Sequence, residues 1–250
     1  MQSISRAALL LRIVARSGER GARTADVVHE SGLTRPTAHR ILSALRAEGL
    51  LDLDALTQRW VPGPEMFLMG TVAAARYDVS TQARDIVCSL AAQTEESAFL
   101  SVRRGDETVC LLREDGAFPI RSHVLYEGVR FPLGVASAGL AILSLLGDEE
   151  IDDYLGRAGG QLAPWGEAHR ADALRERIAR TREAGYAVNP GLLVEGSWGM
   201  GAAVFDRAGR PQWALSLTGI ESRFSAERRP WLGRVLLEHA HALSKRLQAR

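Results

Sequence analysis

The sequence predicts an α+β protein: a small helical unit with a β-hairpin at residues 1–62, a linker helix at 63–79, and a larger mixed α/β unit of sensor type at 80–250. Three observations carry this. Between residues 24 and 49 apolar side chains recur twice at helical spacing, with a glycine between the two runs. From Ser97 onward the period changes to two, the mark of strands. Pro62-Gly63-Pro64 punctuates the junction. A chain of 250 residues holds one large or two modest domains with ample buried core.

Taken in order, residues 3–17 form a first helix with Ala7, Leu10, Leu11 and Val14 at core spacing, and Gly18 and Gly21 bracket a turn. Val27 and Val28 mark a short second helix that Gly32 closes as a left-handed C-terminal residue. Thr34 then stands at an N-cap, with Arg35 and Pro36 in the first turn of a third helix. Ala38, Ile41, Leu42 and Leu45 give that helix one apolar stripe. Pro36, His39, Arg40, Ser43 and Ala47 face the other way, flanked by Arg35, Thr37 and Arg46. This outer face carries donors and cations and no acid, which suits phosphates and base edges. A lone amphipathic helix with such a face would be read as merely solvated; the tight turn, the helix before it and the hairpin after it favour DNA.

Residues 51–53 alternate, 54–58 make a loop and 59–61 return, so a hairpin wing follows the third helix. A helix-turn-helix with a wing packs one small core and leaves two projections for a duplex. Arg59 on the wing reaches a phosphate or the minor groove, or is simply solvated; both readings stand. Up to Pro62 nine arginines face six acids, a net of +3, within a chain whose total is +1. The tilt is mild, but it falls on the unit that the helices point to.

Residues 65–77 form the linker helix, with Met66, Phe67, Leu68, Met69 and Val72 making it too apolar to stand free, so it packs on a partner chain or on the next domain. Ser80 or Thr81 caps another helix with Ile86, Val87, Leu90 and Ala91 inward. Strands follow at about 97–102, 108–112 and 120–126, then a short apolar helix at 137–146. Two polar-faced helices lie near 149–155 and 171–184, two strands at 197–205 and 212–218, and a closing helix at 230–247 buries Leu232, Val235, Leu236, Leu243 and Leu247. The pattern implies a mixed sheet with helices on one side.

Other chemistries find little support. Val135-Ala136-Ser137-Ala138-Gly139 lacks the first glycine of a nucleophile elbow, and although His123 and Asp115 lie upstream, nothing in the sequence brings them to Ser137. His239 and His241 are two apart, which splays them on a helix, so no metal site or cofactor is expected. Cys88 and Cys110 make no framework and read as small hydrophobes in a reducing cytoplasm. Arginines 6, 12 and 16 interrupt any signal peptide, and the longest apolar run, 135–146, is too short to span a bilayer, so no membrane partner is expected. The competing readings are a hydrolase-like small-molecule enzyme with an appended helical domain, and a redox-responsive regulator.

With these parts in view the sequence resembles the IclR family of bacterial transcription regulators over essentially its whole length. The stretches that carry the likeness are TADVVHESGLTRPTAHRILSALRAEGLLDLD, RWVPGPEMFLMG, FPLGVASAGLAILSLL, REAGYAVN and GMGAAVFDRAGRPQWALSLTGIESRFS, with the closing helix. The resemblance implies a winged helix-turn-helix, a linker helix that dimerises, and a C-terminal effector domain, assembled as a homodimer or a dimer of dimers on a pseudo-palindromic operator. It implies a repressor or activator answering to a small organic acid or an aromatic compound. The DNA contacts would come from Arg35, Thr37, His39, Arg40 and Ser43, with Arg59 from the wing.

Carried over by position, the effector pocket involves Ser137 and Ala138, Asn189, Gly199 with Trp198 beside it, and Ser216 and Thr218 as two same-face hydroxyls. Backbone N–H groups at the start of the apolar helix offer an anion site, although small residues there also serve close packing alone. Three positions depart from the family's habit. Asn189 stands where Asp is common, Gly199 where Cys is common, and Gln58 where the wing turn has Gly. Leu192-Leu193-Val194 replaces a segment usually acidic. Gly199 and this apolar segment suggest a larger cavity and a bulkier or more apolar effector than a two- or three-carbon acid.

Overall fold

The structure is a computed structural model that describes residues 2–74 and 79–249. It divides into two compact units, 1–78 and 79–250.

In the first unit α1 (Gln2–Arg16), α2 (Thr24–Ser31) and α3 (Arg35–Ala47) close over a core of Leu10, Ile13, Val14, Val27, Ala38, Leu42 and Leu45. Gly32 takes φ +64 and turns the chain from α2 into α3, a conformation open to glycine at low cost. Strands β1 (Leu51–Leu53) and β2 (Trp60–Pro62) pair antiparallel as the wing. Trp60 anchors it: its ring is buried in the core and its Nε1 donates to the Thr24 hydroxyl at 2.9 Å. Helix α4 (Pro64–Ala74) follows; the remainder of the linker helix expected to 77 lies outside the described residues.

The second unit is built on a six-stranded sheet of β3 (Ser97–Arg104), β4 (Glu107–Glu114), β5 (Arg130–Pro132), β6 (Ala187–Pro190), β7 (Ser197–Phe205) and β8 (Pro211–Ile220), in spatial order β5-β4-β3-β8-β7-β6. Every pairing is antiparallel, which corrects the expectation of a mixed sheet. Helices also cover both faces, not one. Helices α5 (Val79–Thr94) and α9 (Arg229–Gln248) pack on Ala98, Leu100, Met200, Ala202, Leu215 and Leu217. On the other face α6 (Ser137–Ser144), α7 (Asp148–Leu162) and α8 (Ala171–Ala184) join Phe99, Cys110 and Ala214.

The reason for the misreading is physical. Ser97, Ser101, Ser216 and Thr218 alternate with apolar residues as solvent-facing residues would, yet all four are buried beneath the second helical layer. The third strand is also displaced: residues 120–126 form an irregular loop with Ile120 and Tyr126 exposed, and the β4 edge is taken by β5. Strand β6 was not foreseen because four residues carry too little periodicity.

Candidate nucleic-acid interface and ligand cavity

Helix α3 begins as its sequence requires. Thr34 has extended backbone angles at the N-cap, but its hydroxyl donates to the Thr37 hydroxyl at 3.0 Å instead of capping a backbone N–H. Arg35, Pro36, His39, Arg40 and Ser43 are exposed and Thr37 is half-buried. His39 Nδ1 and the Ser43 hydroxyl lie 3.5 Å apart across one turn. Arg46 pairs with Asp52 at 3.6 Å, whereas neither Arg35 nor Arg40 has an acidic partner among the described residues. Thr37 and Arg40 line a cleft toward α1 together with Arg6, and Glu48 is the acid at its edge, so two cations from α1 and α3 face one carboxylate there.

On the wing, Arg59 is neither free nor merely solvated. Its Nη1 donates to the carbonyls of Arg20 and Gly21 at 3.3 and 3.1 Å, tying the hairpin to the turn after α1. The wing tip is ordered by Asp54, whose carboxylate accepts from the Thr57 N–H at 2.7 Å and its hydroxyl at 2.8 Å; these bonds hold it below the usual carboxylate range. Gln58 takes φ +55, so this position demands a left-handed residue and the chain supplies a glutamine. Gln58→Gly should therefore stabilise the small unit by about 0.5–1 kcal/mol, since the left-handed penalty exceeds the added freedom of the unfolded chain. Urea unfolding of the two proteins checks this, and a loss of stability would contradict it.

In the larger unit the register brings small and hydroxyl residues into rows under α6: Ser97, Thr218 and Gly199 in one, Ser216 and Gly201 beside Phe99 in the next. A Cβ on Gly201 would lie 2.5 Å from the Ser137 carbonyl oxygen and 2.9 Å from the Ala138 nitrogen, so the start of α6 rests directly on β7. Asn189 ties this start to β6, its Nδ2 donating to the Val135 carbonyl at 2.7 Å and its Oδ1 accepting from the Leu192 N–H at 3.1 Å. An aspartate here would lose the first of these bonds.

Ser137, Asn189, Trp198, Gly199 and Thr218 meet around one cavity, together with Val124, Leu125, Ala136, Leu193 and Ser197. It encloses about 20 Å³, room for a single water. The Thr218 hydroxyl is buried there without a hydrogen-bond partner, and those of Ser97 and Ser216 are likewise unsatisfied. Ala138 and Ser216 are buried next to this cavity but do not line it. The space left by Gly199 does not enlarge it, because Ser137 Oγ stands 3.1 Å from where a Cβ would sit.

Comparison with known proteins decides the family. Residues 71–245 match the model of the bacterial transcriptional regulator IclR C-terminal domain, and residues 3–55 match the IclR helix-turn-helix domain. The chain belongs to the IclR family. As an IclR-family protein it is a DNA-binding transcription regulator, with an N-terminal helix-turn-helix and a C-terminal α/β domain. It is 28% identical to the glycerol operon regulatory protein of Streptomyces coelicolor, over 100% of this chain and 97% of that one. It is 25% identical to the transcriptional regulator KipR of Bacillus subtilis, over 89% and 88%. An IclR homolog from Microbacterium hydrocarbonoxydans, solved in complex with 4-hydroxybenzoate, superposes with a TM-score of 0.76 at 20% identity, covering 99% of this chain and 100% of that one.

Within this IclR-family chain the remaining candidates are accounted for locally. The Asp115 carboxylate is held by Arg113 and Arg121 at 2.7 and 2.9 Å, and His123 is exposed. His239 bonds the Val235 carbonyl at 2.8 Å and the Ser89 hydroxyl at 3.2 Å, and no metal-binding cluster occurs among the described residues. No described helix is long and apolar enough to cross a membrane. Burial pushes the Cys110 thiol up to about 12, and burial with Glu114 nearby raises that of Cys88, so neither favours the reactive thiolate. A Cys88→Ser, Cys110→Ser double variant should show unchanged DNA binding before and after peroxide. A peroxide response present in the parent and lost in the variant would restore the redox reading.

The cavity residues beyond those expected from the sequence had one signal in advance. Leu193 sits in the apolar segment that departs from the family's habit. Val124 and Leu125 had none, because the loop at 120–126 reads as a strand, and Ser197 reads only as the first residue of its strand.

Proposed function

We propose that this regulator reads a pseudo-palindromic operator with α3 and is switched by a small organic acid or an aromatic acid bound beneath α6. The observation that supports the first half is the acid-free outer face of α3, where Arg35 and Arg40 stand exposed without ion-pair partners among the described residues. Arg35 and Arg40 meet guanine or phosphate, Thr37 and His39 base edges or phosphate, and Ser43 a phosphate. Arg59 sets the wing against the duplex while its own bonds hold the hairpin in place.

For the second half, the supporting observation is Thr218: a hydroxyl 4% exposed, unpartnered, in the same cavity as Ser137 and Asn189. A buried polar group left unpaired costs about 1–3 kcal/mol, and a ligand's polar head would relieve it. An effector larger than water enters only if a wall moves, such as Leu193, Trp198 or the loop carrying Val124 and Leu125. That displacement gives a ligand the differential affinity for two arrangements without which it switches nothing. Thermal-shift screening of 4-hydroxybenzoate, benzoate, glyoxylate and pyruvate tests it. At least one acid should stabilise the parent, and Thr218→Val should abolish that gain; equal gains in both proteins, or none in the parent, would overturn the assignment.

Support for an assembly comes from α4, where Phe67 and Val72 are 74% and 79% exposed and Leu68 and Met69 are also open to solvent. We read residues 63–79 as the dimerisation helix between the DNA-binding domain at 1–62 and the effector domain at 80–250, in a cytoplasmic homodimer or dimer of dimers. No catalytic role or cofactor is assigned.

A further inference from the structure

We propose that a second hollow, between α8, β6 and the start of α9, is a ligand site for a carboxylate carried on an apolar body, separate from the cavity beneath α6. Its volume is about 500 Å³, within the range of ~300–1,000 Å³ usual for small-molecule pockets. Ala173, Ala184, Tyr186, Val188, Leu192 and Pro230 make most of the wall apolar. Three cations, Arg177, Arg180 and Arg229, line it against one acid, Glu176.

Arg177 supplies the independent sign of a missing partner. It is only 6% exposed, and its Nη1 donates to the carbonyls of Gly134 and Ala168 at 3.1 and 3.3 Å. Among the described residues its Nε and Nη2 have no hydrogen-bond partner, and the Nε of Arg229 is buried unpaired as well. No ion pair reaches Arg177 among the described residues, and Glu176 pairs with Arg180, at 3.9 Å and in solvent. A buried charge without a counter-charge is unfavourable, and an anion is what the Arg177 guanidinium lacks; Arg229, which has Glu227 nearby, adds one further unsatisfied N–H. Burial, with Arg180 adding to it, pushes the Arg177 guanidinium down to about 10, the direction that a bound carboxylate would reverse.

The hollow also adjoins the first cavity. Leu192 faces it while Leu193 lines the cavity beneath α6. Trp198, another wall of that cavity, lies 5.3 Å beneath the Arg229 guanidinium. A ligand that draws Arg229 toward itself changes the stacking on Trp198, so occupancy of one site alters affinity at the other, in both directions alike.

Titration calorimetry of the full-length protein with 2-naphthoate, and with the neutral 2-naphthylmethanol, tests the proposal. The acid should bind once per chain and the alcohol at least about ten-fold more weakly. Arg229→Gln should weaken the acid by about ten-fold or more, and Ala173→Trp, which fills the hollow, should do the same, each with an unchanged unfolding temperature as the control for folding. Gly160→Ala on α7, which lines neither cavity and has nothing within 4 Å of the added atom, should leave naphthoate binding unaltered. Equal affinity for acid and alcohol, no binding below about 1 mM, or undiminished binding in Ala173→Trp would overturn it. Because the readout is direct binding, it stands apart from whether any effector releases DNA.

Discussion

Gly201→Ala should destabilise the larger unit by about 1–3 kcal/mol, although adding a methyl to a strand glycine ordinarily helps. The methyl would meet backbone, not a side chain able to swing aside: the Ser137 carbonyl oxygen at 2.5 Å, its carbon at 2.6 Å and the Ala138 nitrogen at 2.9 Å. Either α6 lifts from β7 or β7 bends. Both disturb Ser137 and Asn189 together, so the response to any effector bound beneath α6 should be lost along with the stability. Gly160→Ala in α7 is the matched control, since nothing lies within 4 Å of the added atom. It should gain about 0.5–1 kcal/mol from helix propensity alone. Urea unfolding of both variants separates the cases. A Gly201→Ala protein as stable as the parent would mean that α6 does not rest on this strand.

Arg40→Ala should weaken operator binding by about 1–3 kcal/mol, roughly five- to 150-fold, while leaving the fold within about 0.5 kcal/mol of the parent. The side chain is exposed and has no acidic partner among the described residues, so little of the domain's own stability rests on it. If it reads a guanine, discrimination should relax at one base pair; if it meets a phosphate, all sequences should weaken alike and the salt slope should fall by about 1. Competition binding at fixed ionic strength reads this directly. Arg59→Ala should behave differently, lowering stability and DNA affinity together, because its guanidinium holds the wing to the carbonyls of Arg20 and Gly21. Undiminished DNA affinity in Arg40→Ala would remove this residue from the interface.

The first unit was the more legible in the sequence. Its three helices carry clean amphipathic periodicity, and Gly32 and Thr34 mark the turn between α2 and α3 by local backbone demands alone. The sheet was harder, because Ser97, Ser216 and Thr218 belong to a buried face and imitate a wet one. Their hydroxyls go unsatisfied in the present structure, so the local pattern and the packing disagree at the place where a ligand is proposed to bind. Five of the seven residues carried over by family position line one cavity, while Arg59's bonds to the turn and the hollow at Arg177 depend on contacts 38 and 43 residues apart. Periodicity is blind to separations of that length.

Selection of bound sites from random duplexes at moderate ionic strength, with and without a metabolite pool, bears most directly on the account. A recurring pseudo-palindromic sequence should be enriched, with its retention changed by the pool and its preference altered in Arg40→Ala. Retention of no preferred sequence in either condition would contradict the reading of α3 as the element that recognises DNA.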